Sequence, residues 1–172
     1  MDAGIAALLG AVVGSLTTLG AALVNARAQA QTQHVQWRRQ HRRDAYAAYL
    51  GALHDRDIVM DEILNAVHAD PPDLPALDET VRRFIARARE VHRAAEVVIL
   101  EGPPSIVEAA DRIAQASSEL SDVMQRMVRN AHAADATDRP QHSATASARE
   151  RQLYQAVKDF RVQARSILGN AD

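Results

Sequence analysis

The sequence predicts an all-α protein, with an N-terminal transmembrane helix continuing into a cytoplasmic antiparallel helical bundle. Three observations predict it. Alanine occurs 34 times, against 7 glycines, 6 prolines and 3% aromatic residues. Alanine loses no side-chain entropy in a helix, whereas strands are built from β-branched and aromatic residues. From Ala3 to Ala26 no side chain ionises. Beyond that segment, apolar residues recur at three- and four-residue spacing in four separate runs. With 172 residues the chain has room for one anchor and one soluble domain with a single core.

As a helix, Ala3 to Ala26 is about 36 Å long, enough to cross a hydrocarbon layer of about 30 Å. Leucine, isoleucine and valine favour insertion, offset in part by four glycines, Ser15, Thr17 and Thr18. A cleaved export signal needs a positive segment before the apolar run, and only Met1 and Asp2 precede it. A helix buried in a soluble core shows a polar face, and this one is apolar or small on every side. Arg27, Arg38, Arg39, Arg42 and Arg43 follow the span and no basic side chain precedes it. The positive-inside bias therefore places the N-terminus outside the inner membrane and the rest in the cytoplasm. Ala6, Gly10, Gly14, Thr18 and Ala22 recur every four residues. Such a ridge of small residues lets two helix backbones approach closely in lipid, and so predicts a homo-oligomer.

The expected organisation is an anchor over residues 1–26, a basic juxtamembrane helix over 27–44, and a bundle over 45–172. The first helix is expected to run on to about His68, with Tyr46, Tyr49, Leu53, Met60, Ile63 and Val67 on one stripe, until "ADPPDLP" ends it. Asp73 caps a second helix carrying Leu77, Val81, Phe84, Val91 and Val98. "EGPP" stops that run. Ser105 with Glu108 forms a capping box for a third helix, with Ile106, Ile113, Leu120, Met124 and Met127 inward. The polar stretch "ADATDRPQHSATA", about 134–146, reads as a linker, and Ser147 with Glu150 as the cap of a fourth helix. Leu153, Val157, Phe160, Ala164 and Ile167 form its stripe. Four amphipathic helices with short connections make an up-down bundle.

Little here points to catalysis. Without cysteine there is no thiolate nucleophile and no Cys-ligated zinc. No glutamate has a histidine three residues after it, which removes the di-metal bundle pattern. His54, Asp57 and Asp61 share one helical face, but one histidine and two carboxylates on a single helix read better as a solvated surface than as a metal site. No cofactor, metal or catalytic residue is expected, and the chain is read as no enzyme.

The net charge of -2 hides an asymmetry, because basic charge gathers just after the apolar segment in "WRRQHRRDAYAAYL". On a straight helix Arg38 lies about 20 Å beyond the span, more than two Debye lengths of about 8 Å. Arg38, Arg39, Arg42 and Arg43 then act in one of three ways if not only through topology. They bend onto the anionic surface with Trp37 at the interface, bind nucleic acid, or pair with acidic faces of a neighbouring subunit. Nucleic acid is the less favoured partner.

The residues Trp37 to Tyr49 resemble a run found in a group of uncharacterised single-pass membrane-anchored helical proteins of high-GC Gram-positive bacteria. In that group a short span and a glutamine-rich stretch precede Trp-Arg-Arg and Arg-Arg-x-Ala-Tyr. The resemblance covers about a third of the chain, and implies the topology but no activity. The function expected is therefore a scaffold or interaction protein. It self-associates through its span and presents its bundle to a cytoplasmic protein partner. The alternatives are a membrane-permeabilising effector, holin-like or a phage-defence toxin, and a membrane tether for DNA.

Overall fold

The computed structural model of the protein describes residue 33 and residues 36–169. The expected span, its ridge of Ala6, Gly10, Gly14, Thr18 and Ala22, and most of the segment up to residue 36 lie outside the described residues. Among the described residues no helix is long and apolar enough to cross a membrane.

The described residues form four helices and no strand: α1 over residues 36–66, α2 over Leu74–Glu101, α3 over Pro104–His132 and α4 over Arg139–Gly169. Residues from Arg42 onward make one compact unit. Cross-helix contacts within it fix the topology. Glu62 pairs with Arg83, so α2 runs back along α1. Asp78 accepts from His132 at 2.9 Å, so α3 reverses again. Glu119 pairs with Arg149 at 2.5 Å, and α4 reverses once more. This is an up-down-up-down antiparallel bundle, as four stripes with short connections require.

The apolar stripes meet in one core. Tyr49, Leu53 and Ile63 of α1, Leu77 and Val98 of α2, Ile106, Ile113 and Leu120 of α3, and Phe160 of α4 are all fully buried. Phe160 takes Tyr46 and Tyr49 edge-on, with ring centroids 5.8 and 5.3 Å away, the geometry that the ring quadrupoles favour. The stripe of α2 is buried only at its ends, by Leu77, Thr80 and Val98. Between them Val81, Phe84 and Val91 stay partly exposed. α2 therefore closes the bundle less tightly than its periodicity suggests.

The helix ends follow local chemistry. Asp73 is the N-cap of α2, its carboxylate accepting from the Ala76 N–H at 3.1 Å. Gly102 is the C-cap of α2, its N–H donating to the Val98 carbonyl oxygen at 2.8 Å, and a Cβ there would lie 2.6 Å from that oxygen and 2.8 Å from Ile106 Cγ2.

Two expectations are corrected. Ser105 and Glu108 do not form a capping box: α3 begins at Pro104, Pro103 occupies the cap position, and no side chain caps the helix. Proline at the first helical position lacks the N–H that a cap would satisfy, so the start moves upstream of Ser105. Nor is 134–146 a linker. The connection ends at Asp138, and α4 starts at Arg139, eight residues before Ser147. Pro140 fits the first turn, where its missing N–H costs nothing. Alanines 144, 146 and 148 carry the helix on, and Ala146 is buried. Just before them two partly buried polar residues bridge to neighbours: Ser143 pairs with His68, and His142 lies 3.4 Å from Asn130.

Candidate functional site

Three features of residues 42–169 can contact something outside the bundle or set its chemistry. They are a charged side chain inside the core, a polar groove between α1 and α4, and an apolar groove between α2 and α3.

The charged side chain is Arg56, only 2% exposed. It occupies the stripe position between Leu53 and Met60, where the periodicity of α1 calls for an apolar residue. Its Nη1 donates to Ser117 Oγ on α3 at 2.5 Å, and its Nη2 and Nε donate to Asp57 Oδ1 at 2.6 and 3.2 Å. A guanidinium taken out of water needs such partners, because an unpaired buried charge is far costlier than a paired one. Above it, Tyr49 is pushed up to about 12, chiefly by burial, against the opposing pull of Arg56. Periodicity alone does not single out Arg56. Its signal is the gap in the stripe, which steps from Leu53 to Met60 and leaves the intervening slot to an arginine.

The groove between α1 and α4 has a volume of about 700 Å³. His54, Asp57 and Asp61 stand on its α1 wall, and Glu150, Arg151, Tyr154 and Arg161 on its α4 wall. The Asp61 carboxyl is held above its usual range, first by burial and then by the nearby Asp57 charge. Asp57 already holds Arg56, so the triad His54, Asp57 and Asp61 is divided between two tasks. Among the described residues no three His, Asp or Glu side chains come together as a metal-holding group.

The groove between α2 and α3 has a volume of about 260 Å³ and is mostly apolar. Ile63 forms its floor, Val81, Phe84 and Ile85 one wall, and Met124 and Val128 the other, with Gln125 and Arg129 on the rim. Farther along α2, Val97, Ile99 and Leu100 are exposed, Leu100 by 82%.

The four arginines of the basic segment are not equivalent. Arg42 donates from Nε to the Glu101 carbonyl oxygen at 2.7 Å, capping the C-terminal end of α2, where the helix dipole favours a cation. Arg39 is partly buried, while Arg38 and Arg43 are exposed. Trp37 is 53% exposed and lies against His41, the ring centroids 4.2 Å apart.

The fold and these surfaces define a class, the antiparallel four-helix bundle with a charged core residue and two open seams. No protein-family model matches the chain, and no curated protein or solved structure is significantly similar to it.

Proposed function

We propose that the chain is a non-enzymatic scaffold anchored in the inner membrane by residues 1–26, with its N-terminus outside. It self-associates through its span and holds the helical bundle in the cytoplasm for a protein partner. The observation that carries the partner half is the α2/α3 groove. Its walls include Val81, Phe84, Ile85 and Val128, none of them fully buried, beside the buried Met124. A cleft between two helices, floored by a buried isoleucine, suits the apolar face of an amphipathic helix. Methionine adapts its shape to such a ligand at little cost. Arg129 on the rim favours a partner helix that sets an acidic residue beside its apolar stripe.

The test is a photo-crosslinking residue placed in the full-length protein in cells. At Ile85 it should give one discrete adduct with another polypeptide. At Gln115, an exposed position on α3 outside both grooves, it should give none. Equal labelling at the two positions, or no adduct at Ile85, would remove the groove as the partner site.

A further inference from the structure

We propose that the bundle lies with its α1/α4 side on anionic lipid headgroups, held there by Arg43 of α1 and by Lys158, Arg161 and Arg165 of α4. The proposal rests on the membrane anchoring in the proposed function and extends it from the span to the bundle; its test separates the two.

The first observation is a cationic stripe. Tyr154, Lys158, Arg161 and Arg165 recur at four- and three-residue spacing along α4, so they share one helical face, and all of them are exposed. Arg43 stands one heptad before Leu50, which lines the groove between α1 and α4, and it is exposed as well. Tyr46 and Tyr49 both pack on Phe160, which sets this part of α4 level with residues 46–49 of α1. The antiparallel course then brings Arg165 to the height of Arg43. The cations of two helices thus form one patch.

The second observation is that this charge is not answered within the chain. Arg43, Lys158, Arg161 and Arg165 enter no ion pair among the described residues. The carboxylates nearest to them in sequence belong to other faces. Asp44 lies about five helical turns before Glu62, on the α1 face that pairs with Arg83 of α2, and Asp159 is partly buried and accepts from Gln155 at 2.7 Å. The groove's own acids, Asp57, Asp61 and Glu150, stand at its other end beside Arg151. Glu150 is about 16 Å along α4 from Arg161, twice the Debye length of about 8 Å at physiological salt.

The third observation is what stands beside the charge. Tyr154 is 69% exposed, and Val162, between Lys158 and Arg165, is 61% exposed. An amphipathic ring and an aliphatic side chain among cations suit the boundary between headgroups and acyl chains, where tyrosine keeps its hydroxyl wet and buries its ring. Duplex nucleic acid offers phosphates but no apolar layer to take Val162.

The patch is also placed for a bilayer. It lies at the end of the bundle where α1 begins, and as a helix the connection from Ala26 to Arg43 measures about 26 Å. In the proposed topology that tether keeps the patch beside the cytoplasmic leaflet, whose anionic lipids attract each nearby lysine or arginine. Because the stripe runs along α4, the bundle meets the surface on its side and not on its tip.

The experiment uses the full-length protein, whose lack of cysteine leaves no background. Val162→Cys carries an environment-sensitive dye, and Gln115→Cys on α3 serves as the reference position. Each is reconstituted in phosphatidylcholine vesicles with and without phosphatidylglycerol. The dye at position 162 should shift to the blue only where phosphatidylglycerol is present, and the shift should vanish at about 1 M salt, where the Debye length falls to about 3 Å. The dye at position 115 should not respond. Lys158→Gln, Arg161→Gln and Arg165→Gln together should lower the ratio of docked to undocked bundle by about a hundredfold, with circular dichroism unchanged. An absent shift, an equal shift without phosphatidylglycerol, an equal response at position 115, or an undiminished shift in the glutamine variant would each overturn the proposal. So would a shift given by duplex DNA in phosphatidylcholine vesicles, which would make the patch a nucleic-acid site. Flotation separates the patch from the anchor. Protein that floats with phosphatidylcholine vesicles at high salt but shows no shift in any vesicle keeps the anchor and loses the patch. Protein that floats only with phosphatidylglycerol present, and only at low salt, with the shift at position 162, keeps the patch and loses the anchor.

Discussion

Tyr49 shows how one side chain ties the core to pH. Its phenol is buried against Phe160 and is held at about 12 instead of its ordinary 10.0, chiefly because burial penalises the phenolate. A folded-state value above the unfolded one means that the associated stability is complete below about pH 10 and is lost as pH rises toward 12. A shift of that size corresponds to about 2 to 3 kcal/mol. Chemical denaturation of the bundle between pH 9 and 12 should therefore show stability falling by about that amount. Tyr49→Phe should remove most of the slope, and an unchanged slope would place the titration elsewhere. Arg56 is the complementary case. An ion inside a core is weak evidence of stabilisation but a strong constraint on register, since its partner Ser117 on α3 is met only in one alignment of α1 against α3.

Among the elements, α4 is where sequence pattern and structure part. Residues 134–146, which read as one polar linker, contain a true connection and two turns of helix. Ala134 has φ of 52°. That is left-handed backbone, which glycine adopts without penalty. Ala146 lies inside α4 and is buried. The same substitution should thus act in opposite directions twelve positions apart. Ala134→Gly should stabilise by about 0.5 to 1 kcal/mol through relief of backbone strain. Ala146→Gly should cost about 1 to 2 kcal/mol through lost helix propensity and a lost buried methyl. Thermal or urea unfolding of the two variants reads both, and two neutral effects would return the segment to a linker. The helix is hidden in the sequence because the polar residues of its first turns give no periodic stripe to read.

For the whole molecule, the proposed topology governs where every surface of the bundle faces. A cysteine at Asp2 should react with a membrane-impermeant reagent on intact cells, and one at Asp172 only after lysis. The reverse labelling would put the bundle, and any partner of its α2/α3 groove, outside the cytoplasm. In the proposed topology the basic segment is the orienting determinant. Arg42 has a second task as the cap of α2, so only part of the segment's charge is available for lipid or nucleic acid.

The sequence by itself determined the helical class, the inward stripes of α1, α3 and α4, the Asp73 cap and the break at Gly102. Each of these depends on residues within a few positions of one another, through propensity, period and capping. Only the tertiary structure decided that Arg56 occupies the core, that α2 leaves its middle uncovered, and that Arg42 caps a helix 59 residues away. Those facts depend on which helix lies beside which and at what height, and a one-dimensional pattern carries the face of each helix but not the identity or register of its neighbour.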